Sequence, residues 1–378
     1  MSNKIGFKYP QKALNIILPI GLSFHTFQSL SYVIEVYRGH QKAEHHFGYY
    51  ALYVMFYPQL VTGPIERPQN LLKQLHEEQY FKVDNLVLGL RLVLFGLFIK
   101  MVIADNVGAQ VDLIYENPSS FSTSSILTGI FLYSFQIYCD FFGYSTIALG
   151  CAKCLGYDIT DNFKTPYISK NLTEFWRRWH ISLSTWLRDY VYIPLGGNRV
   201  KNKWIFNTMV VFLLSGIWHG ANWTFAIWGL LHGFILVIEK LFRKRNKKID
   251  NNLNNDNSTL IDNSPLIKVG NVFKTLLTFV VVSLLWVVFR AVNLNQIKEI
   301  FTSIFTNTNV TDTFKVPIRV WIFLGIFIII DVVLKNTRFD KWLNNKNVIF
   351  RWFIYLFLIF SIVVFASVES YPFIYFQF

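Results

Sequence analysis

Leu213-Leu214-Ser215-Gly216-Ile217-Trp218-His219-Gly220-Ala221-Asn222-Trp223 sets a histidine between two long apolar runs, 204–220 and 222–241. Each run approaches the roughly 20 residues that an α-helix needs to cross a bilayer. His219 therefore falls at membrane depth, where an ionisable group costs a few kcal/mol or more and by default marks a functional site. Imidazole exchanges a proton near neutral pH, so a buried acid/base is the first function this stretch points to. The structural alternative is a packed helix histidine satisfied by a hydrogen bond.

The rest of the chain has the same membrane character. Of 378 residues, 53% are hydrophobic and 18% aromatic, 37 of them Phe, while only 16% are charged; soluble domains carry about 25% charged residues. Nine stretches meet the spanning template, near 13–36, 47–63, 86–104, 124–148, 204–220, 222–241, 269–290, 318–334 and 348–368. They predict an all-α, polytopic helix bundle of about nine spans. Lys4, Lys8 and Lys12 precede the first span and mimic a signal-peptide n-region. No small-residue cleavage site follows, and Pro19-Ile20-Gly21 breaks the apolar run, so the segment reads as a retained span.

Lys and Arg collect on the cytoplasmic side of membrane proteins. Here Lys4/Lys8/Lys12, Arg67/Lys73/Lys82, the segment 153–203, Lys240 to Lys248 and Lys335/Arg338/Lys341/Lys346 alternate with the acidic connection 105–123, which carries Asp105, Asp112 and Glu116. Arg38 and Lys42 are discordant. The pattern predicts a multi-pass protein of the plasma or inner membrane, with its N-terminus cytoplasmic, its C-terminus outside, and membrane lipids as its surroundings. The same bias accounts for most of the formal +13 charge. The basic residues are spread over separate loops with no motif to collect them, which argues against a nucleic-acid partner.

Residues 1–378 read as a single membrane-embedded domain, with the Asn/Asp/Ser-rich stretch 249–264 as a flexible cytoplasmic connector. Three cysteines make no disulfide framework. Cys151-Ala152-Lys153-Cys154 has metal-ligand spacing but no second Cys/His pair to complete a zinc site, and small residues at a helix end explain it as well.

Between Asn162 and Arg199 the pattern changes. Asn171-Leu172-Thr173-Glu174-Phe175-Trp176-Arg177-Arg178-Trp179-His180 starts like a helix, and Ile181, Leu183, Trp186, Leu187 and Tyr190 continue it at roughly helical spacing until Pro194-Leu195-Gly196-Gly197-Asn198. Tryptophans interleaved with arginines predict an amphipathic interfacial helix, aromatics at headgroup level and guanidinium groups towards water. Its structural role is to anchor the bundle. Its functional reading is that Trp176, Arg177 and Arg178 receive an anionic donor, a phosphopantetheine or nucleotide group arriving from the cytoplasm.

Asp140-Phe141-Phe142-Gly143-Tyr144-Ser145, the run from Glu174 to Tyr190 with its Arg177-Arg178-Trp179-His180 core, and Trp218-His219-Gly220-Ala221 together closely resemble the membrane-bound O-acyltransferase family, in particular its alginate O-acetyltransferase-like branch. Tyr57 to Ile65 and Pro372 to Phe378 resemble that branch too. The resemblance implies a multi-pass acyltransferase with a central tunnel and histidines at its waist. The family's catalytic histidine matches His219, and a second functional histidine matches His180. Members carry several further spans ahead of the stretch matching Pro19 to Phe24, so the chain is expected to be short at its N-terminus.

A hydroxyl is a poor nucleophile at neutral pH and needs a base. Neutral His219 is expected to take the proton as the acceptor oxygen attacks a thioester carbonyl. His180, nearer the cytoplasmic mouth, is expected to hold the donor or stabilise developing charge. Trp218, Asn222 and Trp223 lie close in sequence for oxyanion stabilisation, and Asp140 could orient a histidine, line the tunnel or make a local packing hydrogen bond. No metal and no resident cofactor are expected. The co-substrate is an acyl thioester, acetyl-CoA or an acyl carrier. The acceptor is an extracellular polysaccharide, reached directly or through an extracytoplasmic acetyltransferase partner.

The remaining histidines look structural. His232 and His25 read as packed or hydrogen-bonded, and His40, His45, His46 and His76 as solvated. Arg188-Asp189 reads as a structural charge pair, and Ser215 as a small residue permitting close helix contact. Two other functions compete. One is D-alanyl transfer to teichoic-type polymers from an acidic carrier protein. The other is a transporter or proton-coupled channel, since intramembrane His and Asp also serve relays; it lacks a visible inverted repeat and leaves the Arg/Trp segment unexplained.

Overall fold

A computed structural model describes residues 22–60, 63–200, 203–253, 265–312, 314–367 and 373. Helices α1 (Leu22–Tyr37), α2 (Phe47–Val54) and α3 (Pro68–His76) lead into α4 (Val83–Leu97), which runs through π-helical turns at Phe98–Ala104 into α5 (Asp105–Glu116). The long α6 (Thr123–Cys154) is followed by two seven-residue helices, α7 (Leu172–Arg178) and α8 (Ile181–Leu187). The hairpin of α9 (Lys203–His219) and α10 (Trp223–Leu253) comes next, then α11 (Pro265–Arg290), α12 (Leu294–Thr306), α13 (Ile318–Val333), α14 (Phe339–Asn344) and α15 (Val348–Phe365). Several starts are fixed by side-chain caps that satisfy an orphan backbone N–H. Asn171 Oδ1 accepts from Glu174 N at 2.8 Å, Asn293 Oδ1 from Gln296 N at 2.9 Å and Asn347 Oδ1 from Phe350 N at 2.8 Å.

The protein is a helical, multi-pass membrane protein, and its described residues show fewer than nine full-length spans. Among the described residues, five helices are long and apolar enough to cross a bilayer: Val83–Glu116, Thr123–Cys154, Trp223–Arg243, Val269–Arg290 and Val348–Phe365. Helices α9 and α13 occupy two expected spans with only 17 and 16 residues. The stretch expected to span at 47–63 is broken instead. Its helix stops after eight residues at Val54 and a 3-10 turn with Pro58 follows, because proline lacks the N–H an α-helix needs and clashes with the preceding turn. The first expected span is described only from Leu22. Of the expected connector, residues 249–253 continue α10 and the remainder lies outside the described residues.

Helix α6 is the axis of the bundle. Its apolar stretch is 78% buried by protein, against 11% for α15, which leaves its side chains to lipid. Glycines let α4 lie directly on α6: a Cβ on Gly96 would stand 2.7 Å from the Gly143 carbonyl oxygen, and one on Gly150 would stand 2.6 Å from that of Gly89. Close backbone approach through small residues is how helices associate where lipid is as apolar as leucine. The α9–α10 hairpin is closer still, since a Cβ on Gly229 would meet the Phe212 carbonyl oxygen at 2.1 Å. This contact holds His219, at the end of α9, against α10.

Gly229→Leu is therefore expected to destabilise the protein by at least the roughly 1–3 kcal/mol typical of overpacking. Thermal unfolding in detergent should show a clear fall in midpoint. Gly325→Leu, where a Cβ meets nothing within 4 Å, should leave the midpoint near wild type. Equal effects at the two positions would refute the packing assigned to α9 and α10.

Candidate active site

The site is built on a backbone crossing between two distant pieces of chain. Lys164 N donates to the Arg178 carbonyl at 3.0 Å, and Ile181 N donates to the Asn162 carbonyl at 3.0 Å. The Asn162 side-chain oxygen accepts from Ser182 N at 3.2 Å and from Ser182 Oγ at 2.6 Å. These bonds interrupt helical pairing between α7 and α8. His180 occupies the break in the left-handed region, with φ 43° and ψ 56°. The single interfacial helix expected from Asn171 to Tyr190 is thus two short helices bent at a histidine. Two of its tryptophans are turned into the protein. Trp179 and Trp186 are buried, and Trp186 Nε1 donates to Ser31 Oγ at 2.8 Å.

The bend delivers His180 to the bundle interior, where it is 1% exposed. Its ring stands edge-on to Phe141 at 4.7 Å and lies 6.0 Å from Trp218. Neither ring nitrogen has a hydrogen-bond partner among the described residues. Burial pushes this imidazole well below its ordinary value, with the charge of His219 a second, smaller cause. His219 is partly exposed and is ringed by Trp218 at 4.8 Å, Phe289 at 5.0 Å and Trp228 at 5.3 Å. The two histidines picked out in sequence thus share one tryptophan. His232 joins them from α10. Trp176 Nε1 donates to its Nδ1 at 3.2 Å, and its ring lies 4.8 Å from Trp228.

On the arginine-rich side of this cluster lies a cavity of about 870 Å³. Seven cationic side chains line it, Lys164, Arg177, Arg178, Arg243, Lys335, Arg338 and Lys341, against Asp161, Glu174 and Asp331. Arg178 is bound to Glu174, Arg243 to Glu239 and Arg338 to Asp340. Arg177, Lys164, Lys335 and Lys341 have no ion-pair partner among the described residues. The cavity lining includes the rings of Phe142 and Phe163 but neither histidine. Phe163 lies 4.9 Å from Phe141, the ring that touches His180. Phe163 and Phe141 thus link the cavity wall to His180 through ring contacts.

Other expected site residues are placed elsewhere. Asp140 lies 2.7 Å from Lys100 Nζ, which is also 2.5 Å from Asp105. Asn222 is committed to structure, donating to the Val292 carbonyl at 2.7 Å and accepting from Thr224 N at 3.2 Å. Trp223 is 75% exposed among the described residues. Arg188 pairs with Asp189 at 2.8 Å, and Asp189 reaches Arg67 at 3.1 Å. His25 bonds the Val54 carbonyl oxygen at 2.8 Å. His40 and His76, expected to be merely solvated, lie 3.2 Å from Glu35 and 2.6 Å from Glu44. The loop bearing Lys335, Arg338 and Lys341 was legible only as a topology signal; its part in the cavity wall was missed.

Fold and site together define a multi-pass helical membrane protein with buried histidines beside a cationic cavity. The chain belongs to the membrane-bound O-acyltransferase family, whose model matches residues 38–250. It is similar to the probable alginate O-acetylase AlgI of Pseudomonas aeruginosa, 40% identical over 295 residues covering 77% of this chain and 52% of that one. It is 36% identical to the peptidoglycan O-acetyltransferase of Helicobacter pylori, over 75% of this chain and 56% of that one. It is 31% identical to the teichoic acid D-alanyltransferase of Bacillus subtilis, over 62% of each. The chain spans about half the length of the first two relatives.

The His180 geometry has measurable consequences. An L-residue with a Cβ and no local polar group costs about 1 kcal/mol or more in the left-handed region, which Asn tolerates. His180→Asn should therefore be more stable than His180→Ala by about that amount in thermal unfolding. Above an unfolded-state value of about 6.5 neither state binds a proton at this ring. Below it the unfolded chain takes one that the folded site resists, so His180 lowers stability as pH falls. His180→Asn should flatten that decline between pH 7 and 5; an unchanged slope would show that the ring is not held uncharged.

Proposed function

We propose that this chain carries the catalytic core of a membrane O-acyltransferase. It moves an acetyl or similar short acyl group from a cytoplasmic thioester towards a hydroxyl of an extracellular polysaccharide, directly or through an extracytoplasmic acetyltransferase partner. The observation that carries the reading is the convergence of His219 and His180 on Trp218, close to a cavity with four uncommitted cations. The inside-positive charge pattern supports a cytoplasmic position for that cavity. There Arg177, Lys164, Lys335 and Lys341 meet the phosphates of the donor, which the planar guanidinium suits especially well. The donor is acetyl-CoA or an acylated carrier protein.

Neutral His219 accepts the hydroxyl proton while the hydroxyl oxygen bonds to the thioester carbonyl carbon. The tetrahedral oxyanion then collapses, the C–S bond breaks, and the thiolate takes the proton back from the imidazolium. His180, whose ring nitrogens are uncommitted, donates an N–H to the oxyanion or to the donor. A positioned base supplies about 10²–10⁴-fold, roughly 3–5 kcal/mol of barrier. The acetylating relatives, matched over most of this chain, favour a short acyl group; the Bacillus subtilis relative keeps D-alanyl transfer as the second reading.

In membranes supplied with a labelled acetyl thioester, His219→Ala should lose about 10²–10⁴-fold of the label transferred at unchanged protein level. Equal incorporation rejects His219 as the base. Incorporation of labelled D-alanine in place of acetyl supports the second reading.

A further inference from the structure

A second cavity, of about 520 Å³, lies between α10, α11 and α12. Ten of its eleven lining side chains are apolar and the eleventh is Lys298. Ile227, Leu231 and Ile235 line it from α10, and their i, i+4, i+8 spacing makes it a groove about 12 Å long. Its back is closed by rings. Trp228 on α10 stacks on Trp286 of α11 at 5.7 Å and meets Phe289 at 5.0 Å. Its front is open, since the lining residue Leu284 is 37% exposed. One end is marked by charge. Phe225 near the start of α10 lies 5.0 Å from Phe289 near the end of α11, and α12 begins four residues after Arg290. Lys298 therefore stands at the end of the groove where α10 starts. It is exposed and forms no ion pair among the described residues.

We propose that this groove binds one anionic glycerophospholipid, with an acyl chain lying between α10 and α11 and the phosphate paired with Lys298. The length fits: a groove of about 12 Å takes up most of the roughly 15 Å of hydrocarbon in one leaflet. The width fits a chain better than a helix. A helix 10–12 Å across would need about 900 Å³ to enter over that length, well above the cavity volume. An unfilled gap forfeits the dispersion contacts of its lining, and in a bilayer an acyl chain is the apolar group at hand to restore them. The charge selects the headgroup. A lone lysine at the membrane surface attracts a net negative lipid, whereas the ammonium of a zwitterionic headgroup offsets that attraction. The inside-positive charge pattern supports an outer-leaflet position for the Lys298 end. The chain would lie behind the ring wall that faces His219, which is 5.3 Å from Trp228, so its presence holds α10 and α11 at a fixed spacing there. Lipid binding itself does not depend on the acyl-transfer reading.

The full chain in detergent is titrated with dioleoyl phosphatidylglycerol and with dioleoyl phosphatidylcholine, and bound lipid is counted by native mass spectrometry. Phosphatidylglycerol should bind the wild type at one saturable site and raise its thermal midpoint as the site fills. Lys298→Glu should weaken phosphatidylglycerol binding about fivefold or more and leave phosphatidylcholine binding unchanged. Leu284→Trp, which fills the groove, should weaken both lipids at least tenfold and abolish the rise in midpoint. Leu276→Trp is the control, since Leu276 is 59% exposed on the same helix but outside the groove; it should bind as the wild type does. Equal affinity of Leu284→Trp and Leu276→Trp for phosphatidylglycerol overturns the site. Unchanged phosphatidylglycerol affinity in Lys298→Glu overturns the headgroup assignment and the proposal with it.

Discussion

Asn162 fixes the geometry on which the site depends. Its carbonyl and side-chain oxygens take three hydrogen bonds from Ile181 and Ser182, and Asn162 is itself 1% exposed. Those bonds satisfy backbone groups that a continuous helix would have satisfied internally. They make it possible for His180 to occupy a backbone region that most side chains avoid. The same bonds send Trp179 and Trp186 inward. Trp218 completes the arrangement from α9, lying 5.6 Å from Phe24 and 5.4 Å from Phe27 of α1. Residues from α1, α6, α8 and α9 thereby meet around two imidazoles.

The bundle solves two problems of an apolar solvent by different means. Where helices only need to touch, glycines remove the side chain, as at Gly96 with Gly143 and Gly229 with Phe212. Where charge lies inside, it is compensated nearby: Lys100 lies between Asp105 and Asp140, and Arg290 pairs with Asp112. Removing one member of a buried pair leaves an uncompensated charge and is strongly destabilising. The histidine cluster differs from both: His180 Nδ1 and Nε2 and His232 Nε2 have no hydrogen-bond partner among the described residues.

Much of this was legible in sequence, and the failures have physical causes. His219 stood out because an ionisable group interrupts an apolar run, and His180 because of the motif around it. The bend at His180 was invisible because Ile181, Leu183, Trp186 and Leu187 keep helical spacing through it; Asn162, far back in the chain, imposes the break. Interleaved tryptophan and arginine suggest a membrane interface, yet a folded loop can turn the same tryptophans into the core and leave Arg177 and Arg178 on a cavity wall. Asn222 looked chemical because of its neighbours, while its amide serves Val292. Pro58 was in plain view within the stretch taken as the second span.

Whether the acyl carbon is delivered to His219 can be read from a covalent mark. S-bromoacetylpantetheine places an alkylating carbon next to the carbonyl under attack, and peptide mass spectrometry locates the adduct after labelling in native membranes. The expected result is alkylation of His219, rising in step with loss of acetyl transfer and suppressed by excess S-acetylpantetheine. Inactivation with the adduct confined to Cys139, Cys151 or Cys154, and His219 unmodified, would contradict it.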